Sequence, residues 1–472
     1  VNRLQIRIVK ATLEQKLRLV KRLQYLITNS FYAKALAVKR VVSNRGKKTP
    51  GIDGEIWKSD KEKVNAVRSL DCQTYHAKPL KRVYIEKFGK KEKRPLGIPT
   101  MRDRAMQALQ LLALEPVAET TADRISFGFR KYRSPEDARE YAFSVLSRKD
   151  SPQWILEGDI KSCFDKISHR WMIDNIPGNK RIMKEFMRCG YVEKGKLYPT
   201  IEGSPQGGVI SPTYANMVLD GLEPMILDVY WRSKVKRTFS VKYNAHKVHV
   251  VRFADDFIVT ASDKETLKEI KPMIERFLEE RGLRLSEEKT VITHINDGFD
   301  FLGWNFRKFK GKLIIKPSHK SMKKITRKIS EIIKENQTAT QEILIKKINE
   351  VTVGWANYHH SSCAKKCFHT LDHRIWEMLW RWSKRRHPNK NKHWIVNKYW
   401  KEHKGRKWTF MSDKNILFLM MDMPIVRKGQ ISLNKNPFLD REYFECRAKR
   451  YRLNRKRAMN SNRAAQMGYY AL

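Results

Sequence analysis

The feature that most restricts this chain is a pair of adjacent carboxylates set between two apolar runs. Val251-Arg-Phe-Ala-Asp-Asp-Phe-Ile-Val259 lies inside a stretch from Val248 to Thr260 whose flanks are rich in β-branched and aromatic residues. Such runs on either side of a polar dipeptide predict a β-hairpin with Asp255 and Asp256 at its tip. A second apolar run, Trp154 to Ile160, predicts a short strand that finishes on Asp159. Mg2+ takes hard oxygen ligands and usually one or two carboxylates per ion. Two strands delivering carboxylates to one sheet edge therefore suit a pair of divalent ions about 3.5–4 Å apart, the arrangement used for phosphoryl transfer. The backbone carbonyl of Ile160, next to Asp159, is a further candidate metal ligand. An Asp-Asp pair at a hairpin tip is also ordinary turn chemistry, so its surroundings have to decide.

Charge supplies the first of those surroundings. The chain has 472 residues, enough for two to four domains, and 97 Lys+Arg against 50 Asp+Glu give a net charge of +47. So large an excess calls for a polyanion, and nucleic acid is the obvious one. A ribosomal or coat protein has the same balance, so charge names a class of partner and no activity. The excess is uneven: Arg307 to Leu472 holds 40 basic and 12 acidic residues. The back of the chain thus reads as a phosphate-binding surface, and the acidic residues gather nearer the front. Six cysteines at positions 72, 163, 189, 363, 367 and 446 are too scattered for a disulfide framework and fit a reducing, cytoplasmic setting. No stretch approaches the length of an apolar membrane span, so no membrane partner is expected.

Along the chain, Thr12 to Val42 has helical spacing, with Leu13, Leu17, Val20, Leu23 and Leu26 in register. A Pro- and Gly-containing loop, Arg45 to Gly54, breaks it. Lys78 to Pro99 predicts a basic strand pair around a turn at Lys87 to Lys91, and Arg102 to Ala118 predicts a buried helix ending near Pro116. Ser321 to Trp382 is mostly helical by its isoleucine spacing, whereas the tail from Arg385 has no strong period. His359, Cys363, Cys367 and His369 are possible zinc ligands by type, but no second ligand pair stands nearby, and no zinc site is expected. Trp394 to Trp408 interleaves aromatics with cations, which suits base stacking and phosphate contact as well as packing.

The ordered blocks carry more. Pro50-Gly-Ile-Asp-Gly54, Arg94-Pro-Leu-Gly-Ile-Pro99, Glu157-Gly-Asp-Ile-Lys-Ser-Cys-Phe-Asp165, Gly203-Ser-Pro-Gln-Gly-Gly208, the Phe-Ala-Asp-Asp box, Glu287-Glu-Lys-Thr290 and Phe301-Leu-Gly-Trp304 follow one another over some 250 residues. In this order they resemble the bacterial group II intron-encoded reverse transcriptases, or maturases, and Gly354-Trp-Ala-Asn-Tyr358 resembles the start of the maturase segment. The resemblance implies an α+β right-hand polymerase: fingers, an antiparallel palm sheet and a helical thumb, followed by a basic C-terminal DNA-binding segment. It divides the chain into an N-terminal extension and fingers over 1–105, a palm over 106–312, a thumb or maturase segment over 313–388 and a basic segment over 389–472. No paired Cys-x-x-Cys motif follows Asn436 to Tyr443, so no HNH endonuclease is expected.

Residue roles follow from the same resemblance. Asp159, Asp255 and Asp256, with the Ile160 carbonyl, would hold two Mg2+ ions, with Mn2+ as a substitute. Lys87 and Arg94 would meet the triphosphate, Phe164 would exclude a ribose 2′-hydroxyl, and Gln206 and Gly207 would line the nucleotide pocket. Lys289 would protonate the leaving pyrophosphate, although a solvated salt-bridging lysine explains it equally. Phe301, Leu302 and Gly303 would form a primer grip, or a plain apolar strand. The implied partners are intron RNA, an RNA template, a DNA primer or target, and dNTPs. The implied activity is RNA-directed DNA synthesis, coupled to splicing and retrohoming. The alternatives are a domesticated reverse transcriptase in phage defence or CRISPR adaptation, and a splicing-only RNA-binding protein. A splicing-only protein has no need of all three aspartates, and this chain keeps them.

Overall fold

The computed structural model describes residues 1–86, 93–203, 207–232, 240–403 and 405–468. The chain divides into two compact units, one of residues 1–293 and 431–444, the other of residues 294–430 and 445–472.

The first unit opens with three helices, Asn2–Leu13, Leu17–Asn29 and Phe31–Ser43, where the spacing predicts a single one. Gln15 adopts a left-handed φ of 55° and Ser30 is extended, and each ends a helix. The breaks turn the apolar stripe. Val20, Leu23 and Ile27 are buried, whereas Leu13 and Leu17 are 60% and 66% exposed. The three helices pack on Met101–Thr121, most of whose residues are buried. That helix continues through Pro116, where the sequence predicts its end. Proline removes the hydrogen bond that residue 116 would give to the carbonyl of Leu112. Here Gln5 Nε2 donates to that carbonyl at 2.8 Å, so the interior proline leaves no buried acceptor bare.

Strands β1 (Leu80–Glu86) and β2 (Lys93–Ile98) form the expected antiparallel basic pair. A second sheet contains β3 (Trp154–Asp159). The short strands β4 (Tyr191–Glu193) and β5 (Lys196–Tyr198) extend the first sheet in the order β2-β1-β4-β5. The second sheet is completed by β6 (His249–Phe253), β7 (Asp256–Ala261) and β8 (Val291–His294), in the order β6-β7-β3-β8. Phe257 to Ala261 are buried without alternation, because β7 is central and the helix Lys264–Glu279 packs against it. One apolar core joins these strands to the N-terminal helices.

The second unit contains a meander of β9 (Phe299–Phe301), β10 (Trp304–Phe309) and β11 (Lys312–Pro317). Three helices follow, His319–Glu335, Gln341–His359 and Lys365–Arg386. Ile325, Ile329 and Ile333 face Leu344, Ile345, Ile348, Phe368, Leu371 and Ile375 in one core, the i, i+4 stripe that the sequence predicts. The tail is more ordered than its composition suggests. It forms a helix Lys392–Tyr399, a hairpin of β12 (Trp400–His403) and β13 (Arg406–Phe410), and a long helix Arg441–Gly468. Trp400 and Tyr399 are buried in the core of this unit, while Trp408 is largely exposed. No helix among the described residues is long and apolar enough to cross a membrane.

Candidate active site

β6 and β7 form a tight hairpin in which Phe253 pairs with Asp256, leaving Ala254 and Asp255 as a two-residue loop. Ala254 sits in the left-handed region at φ 57°, the conformation that two-residue hairpin loops require. β3 runs antiparallel to β7 in a register that sets Asp159 directly opposite Asp256. Gly158 makes this pairing possible: a Cβ there would lie 2.2 Å from the Phe257 ring across the strands. The three aspartates therefore arrive at one end of one sheet, on the last residue of β3, the hairpin loop and the first residue of β7.

The charges at this end oppose one another. Burial raises the Asp255 carboxyl above the ordinary carboxylate range, and Asp159 raises it further, while Arg94 and Lys289 pull it down. Asp256 is open to solvent on one side yet walled by protein on the others. It is pushed up to about 6 by lost hydration, by Asp255 and by Asp159. Lys289 Nζ lies 2.6 Å from Asp159 Oδ2, and the Asp159 carbonyl accepts from the Ser286 N–H at 2.8 Å. The Glu287–Thr290 block is thus folded onto the end of β3. Among the described residues, no three His, Cys, Asp or Glu side chains stand close enough to share one ion.

Around the carboxylates, Ser162 takes a left-handed φ of 49° and starts the short helix Cys163–Lys166 that carries Phe164. Gly203, at φ 85°, lies so close to this turn that a Cβ would be 2.7 Å from the Phe164 and Asp165 carbonyls. Gly207, at φ 110°, rests against β2, where a Cβ would meet the Gly97 carbonyl at 2.7 Å. Both glycines are required by close backbone approach. Arg94 is exposed on β2, three residues from Gly97. Lys87 and Gln206 lie outside the described residues. Phe301, Leu302 and Gly303 belong to the second unit, in the tight turn between β9 and β10, with φ 50° at Leu302 and 81° at Gly303. Tyr358 donates to the Leu302 carbonyl at 2.9 Å and stacks on Trp304 at 4.6 Å, which ties that turn to the Gly354–Tyr358 segment.

A model of the reverse transcriptase (RNA-dependent DNA polymerase) family matches residues 85–306. Models of the reverse transcriptase N-terminal domain and of the group II intron maturase-specific domain match residues 1–70 and 322–400. The chain is 31% identical over 340 residues to the group II intron-encoded protein LtrA of Lactococcus lactis subsp. cremoris, covering 60% of this chain and 56% of that protein. It is 32% identical over 325 residues to protein YkfC of Escherichia coli, covering 60% of this chain and 82% of that protein. The chain belongs to the group II intron-encoded reverse transcriptases. It spans a little over half the length of LtrA. A putative COX1/OXI3 intron 1 protein of Saccharomyces cerevisiae is 29% identical over 317 residues, covering 57% of this chain and 38% of that protein.

In this member of the family the hairpin is backed by a buried ion-pair cluster. Arg252, 1% exposed, forms an ion pair with Asp220, lies 3.7 Å from Asp123 Oδ2, and donates to Asn216 Oδ1 at 3.4 Å. Its backbone pairs with Ile125 and Phe127 at 3.0 and 2.9 Å, so residues 125–127 run as an added edge beside β6. Gly128 follows, and a Cβ on it would be 2.4 Å from the Ala254 nitrogen. The signal of this cluster in the sequence is an arginine set among Val250, Val251 and Phe253, since a buried guanidinium requires acidic partners. His359, one of the possible zinc ligands by type, hydrogen-bonds with Ser321 Oγ at 3.1 Å.

Proposed function

We propose that this chain is an RNA-directed DNA polymerase that extends a DNA primer on an RNA template, and that it also binds its intron RNA to assist splicing and copies it at a DNA target during retrohoming. The observation that carries the reading is the register of β3 against β7, which sets Asp159 opposite Asp256 beside Asp255 in a member of this family. Burial first, and then the repulsion among these carboxylates, hold Asp255 and Asp256 above the usual range, and such crowded oxygens suit a donor set for hard divalent cations. Asp159, Asp255 and Asp256, with the Ile160 carbonyl, would hold two Mg2+ ions, Mn2+ serving as a substitute. Bound there, Mg2+ supplies Lewis acidity at the primer hydroxyl and charge neutralisation at the phosphates.

The protein's own groups do the rest. Lys289 now neutralises Asp159. In the working site its ammonium is released from that carboxylate and gives a proton to the departing pyrophosphate. Arg94, with Lys87, grips phosphate oxygens, for which a planar guanidinium is suited. Phe164 takes the place under the sugar, Gly207 and Gln206 line the pocket, and Phe301, Leu302 and Gly303 steady the primer end. Residues 1–105 serve as the N-terminal extension and fingers, 106–312 as palm, 313–388 as thumb and maturase segment, and 389–472 as a basic DNA-binding segment. The maturase part is tested by splicing of the cognate intron at near-physiological magnesium. Splicing accelerated by the protein supports it, and an unchanged rate contradicts it.

A further inference from the structure

Phe129 is held in a conformation that its own chemistry disfavours. Its φ of 58° is left-handed, where a bulky L side chain is an outlier. The residue is also 57% exposed, so burial gives little in return. The backbone on either side of it is pinned. Phe127 N–H donates to the Arg252 carbonyl at 2.9 Å, and Asn216 Nδ2 donates to the Gly128 carbonyl at 2.7 Å. Gly128 is pressed against the Ala254 nitrogen, and Arg130 Nη1 donates to the Asp123 and Ser126 carbonyls at 2.7 and 3.1 Å. Strain that a braced segment imposes beside a site is a reason to look for a function. Among the described residues the ring it directs outward meets one aromatic neighbour: Phe129 stands edge-on to Phe164, with centroids 6.3 Å apart and planes at 77°.

We propose that Phe129 is a positioning residue for nucleotide selection, a buttress that fixes the ring of Phe164. The inference rests on the polymerase reading above and adds a residue that this reading does not contain. Phe164 is only partly buried, and its backbone is fixed from one side by Gly203. A ring that excludes a 2′-hydroxyl works only if it does not swing away when pressed. The edge of Phe129 blocks that movement. The same short segment that braces the Asp255 turn through Gly128 therefore sets the Phe164 ring, so the carboxylates and the sugar wall are held in one register.

The test compares incorporation of a deoxynucleotide and its matching ribonucleotide in the wild type and in Phe129→Ala, Phe129→Tyr, Phe129→Gly and Phe164→Ala. The kcat/KM ratio of the two nucleotides is the readout, because a merely structural role would lower both alike. Phe129→Ala is expected to lower the discrimination about two- to tenfold, the range an edge-to-face aromatic pair supplies, with deoxynucleotide incorporation retained. Phe129→Tyr keeps the ring and the discrimination. Phe129→Gly relieves the left-handed backbone and still loses discrimination, which separates the ring from the fold. In a Phe164→Ala background, removing Phe129 has no further effect. An unchanged ratio in Phe129→Ala, with the wild type extending normally, overturns the proposal alone. A wild type that extends no primer overturns the polymerase reading and the proposal with it.

Discussion

Asp256 carries the clearest residue-scale consequence. Its folded-state pKa of about 6 stands above the ordinary 3.8 of an aspartate. The stability linked to this group is therefore fully present below about pH 4 and is lost as pH rises through about 6, where the folded state is left with a third crowded negative charge. A divalent ion that binds the ionised set recovers that loss, and protons compete with it. Added Mg2+ is thus expected to raise the melting temperature more at pH 8 than at pH 6, and much less in an Asp255→Asn, Asp256→Asn variant. Thermal unfolding of the wild type and the variant, with and without Mg2+ at the two pH values, checks this, and an equal shift in all four cases contradicts it. At this scale the three aspartates were legible because a strand-ending carboxylate and a carboxylate pair between apolar runs are local patterns. Arg252 and Phe129 were not: their meaning comes from Asp220, Asp123 and Phe164, which the fold alone brings near.

At the scale of elements, the helix Met101–Thr121 shows how a local rule is overridden at long range. Pro116 ends a helix in isolation, yet Gln5, 107 residues earlier, supplies the donor that the Leu112 carbonyl loses. Replacing Gln5 with Ala is expected to cost about 1–3 kcal/mol by leaving a buried acceptor bare. The cost should shrink in a Pro116→Ala background, where residue 116 regains its N–H. Urea denaturation of the four proteins of this cycle measures the coupling, and additive costs would contradict the account. The strand pair β1–β2, the β6–β7 hairpin and the isoleucine-striped helices followed directly from period and turn chemistry. The N-terminal stripe misled because its leucines continue across Gln15, where the chain turns and Leu13 and Leu17 are left exposed.

At the scale of the whole molecule, +47 is the dominant property, and more than half of it lies beyond residue 306. Binding to structured RNA is expected to proceed by counterion release, with affinity falling about 10³-fold or more between 50 and 200 mM salt if six or more phosphates are engaged. Filter binding across that range measures the slope, and a drop of less than tenfold would contradict a phosphate-dominated interface. The ordered blocks made the family legible in the sequence, and the charge made the partner class legible. The division into two compact units was not, because residues 431–444 join the first unit from the far end of the chain. Sequence neighbourhood carries no sign of such a return.

The central claim is that the carboxylates at the ends of β3 and β7 perform nucleotide addition on an RNA template. The most direct measurement is primer extension with an RNA template, dNTPs and Mg2+, comparing the wild type with an Asp255→Ala, Asp256→Ala variant matched for folding and RNA binding. The account predicts extension by the wild type and a loss of at least about 10³-fold in the variant, the scale on which removing central electrostatic groups acts. A folded, RNA-binding wild type that adds no nucleotide, or a variant that extends as well as the wild type, would contradict it.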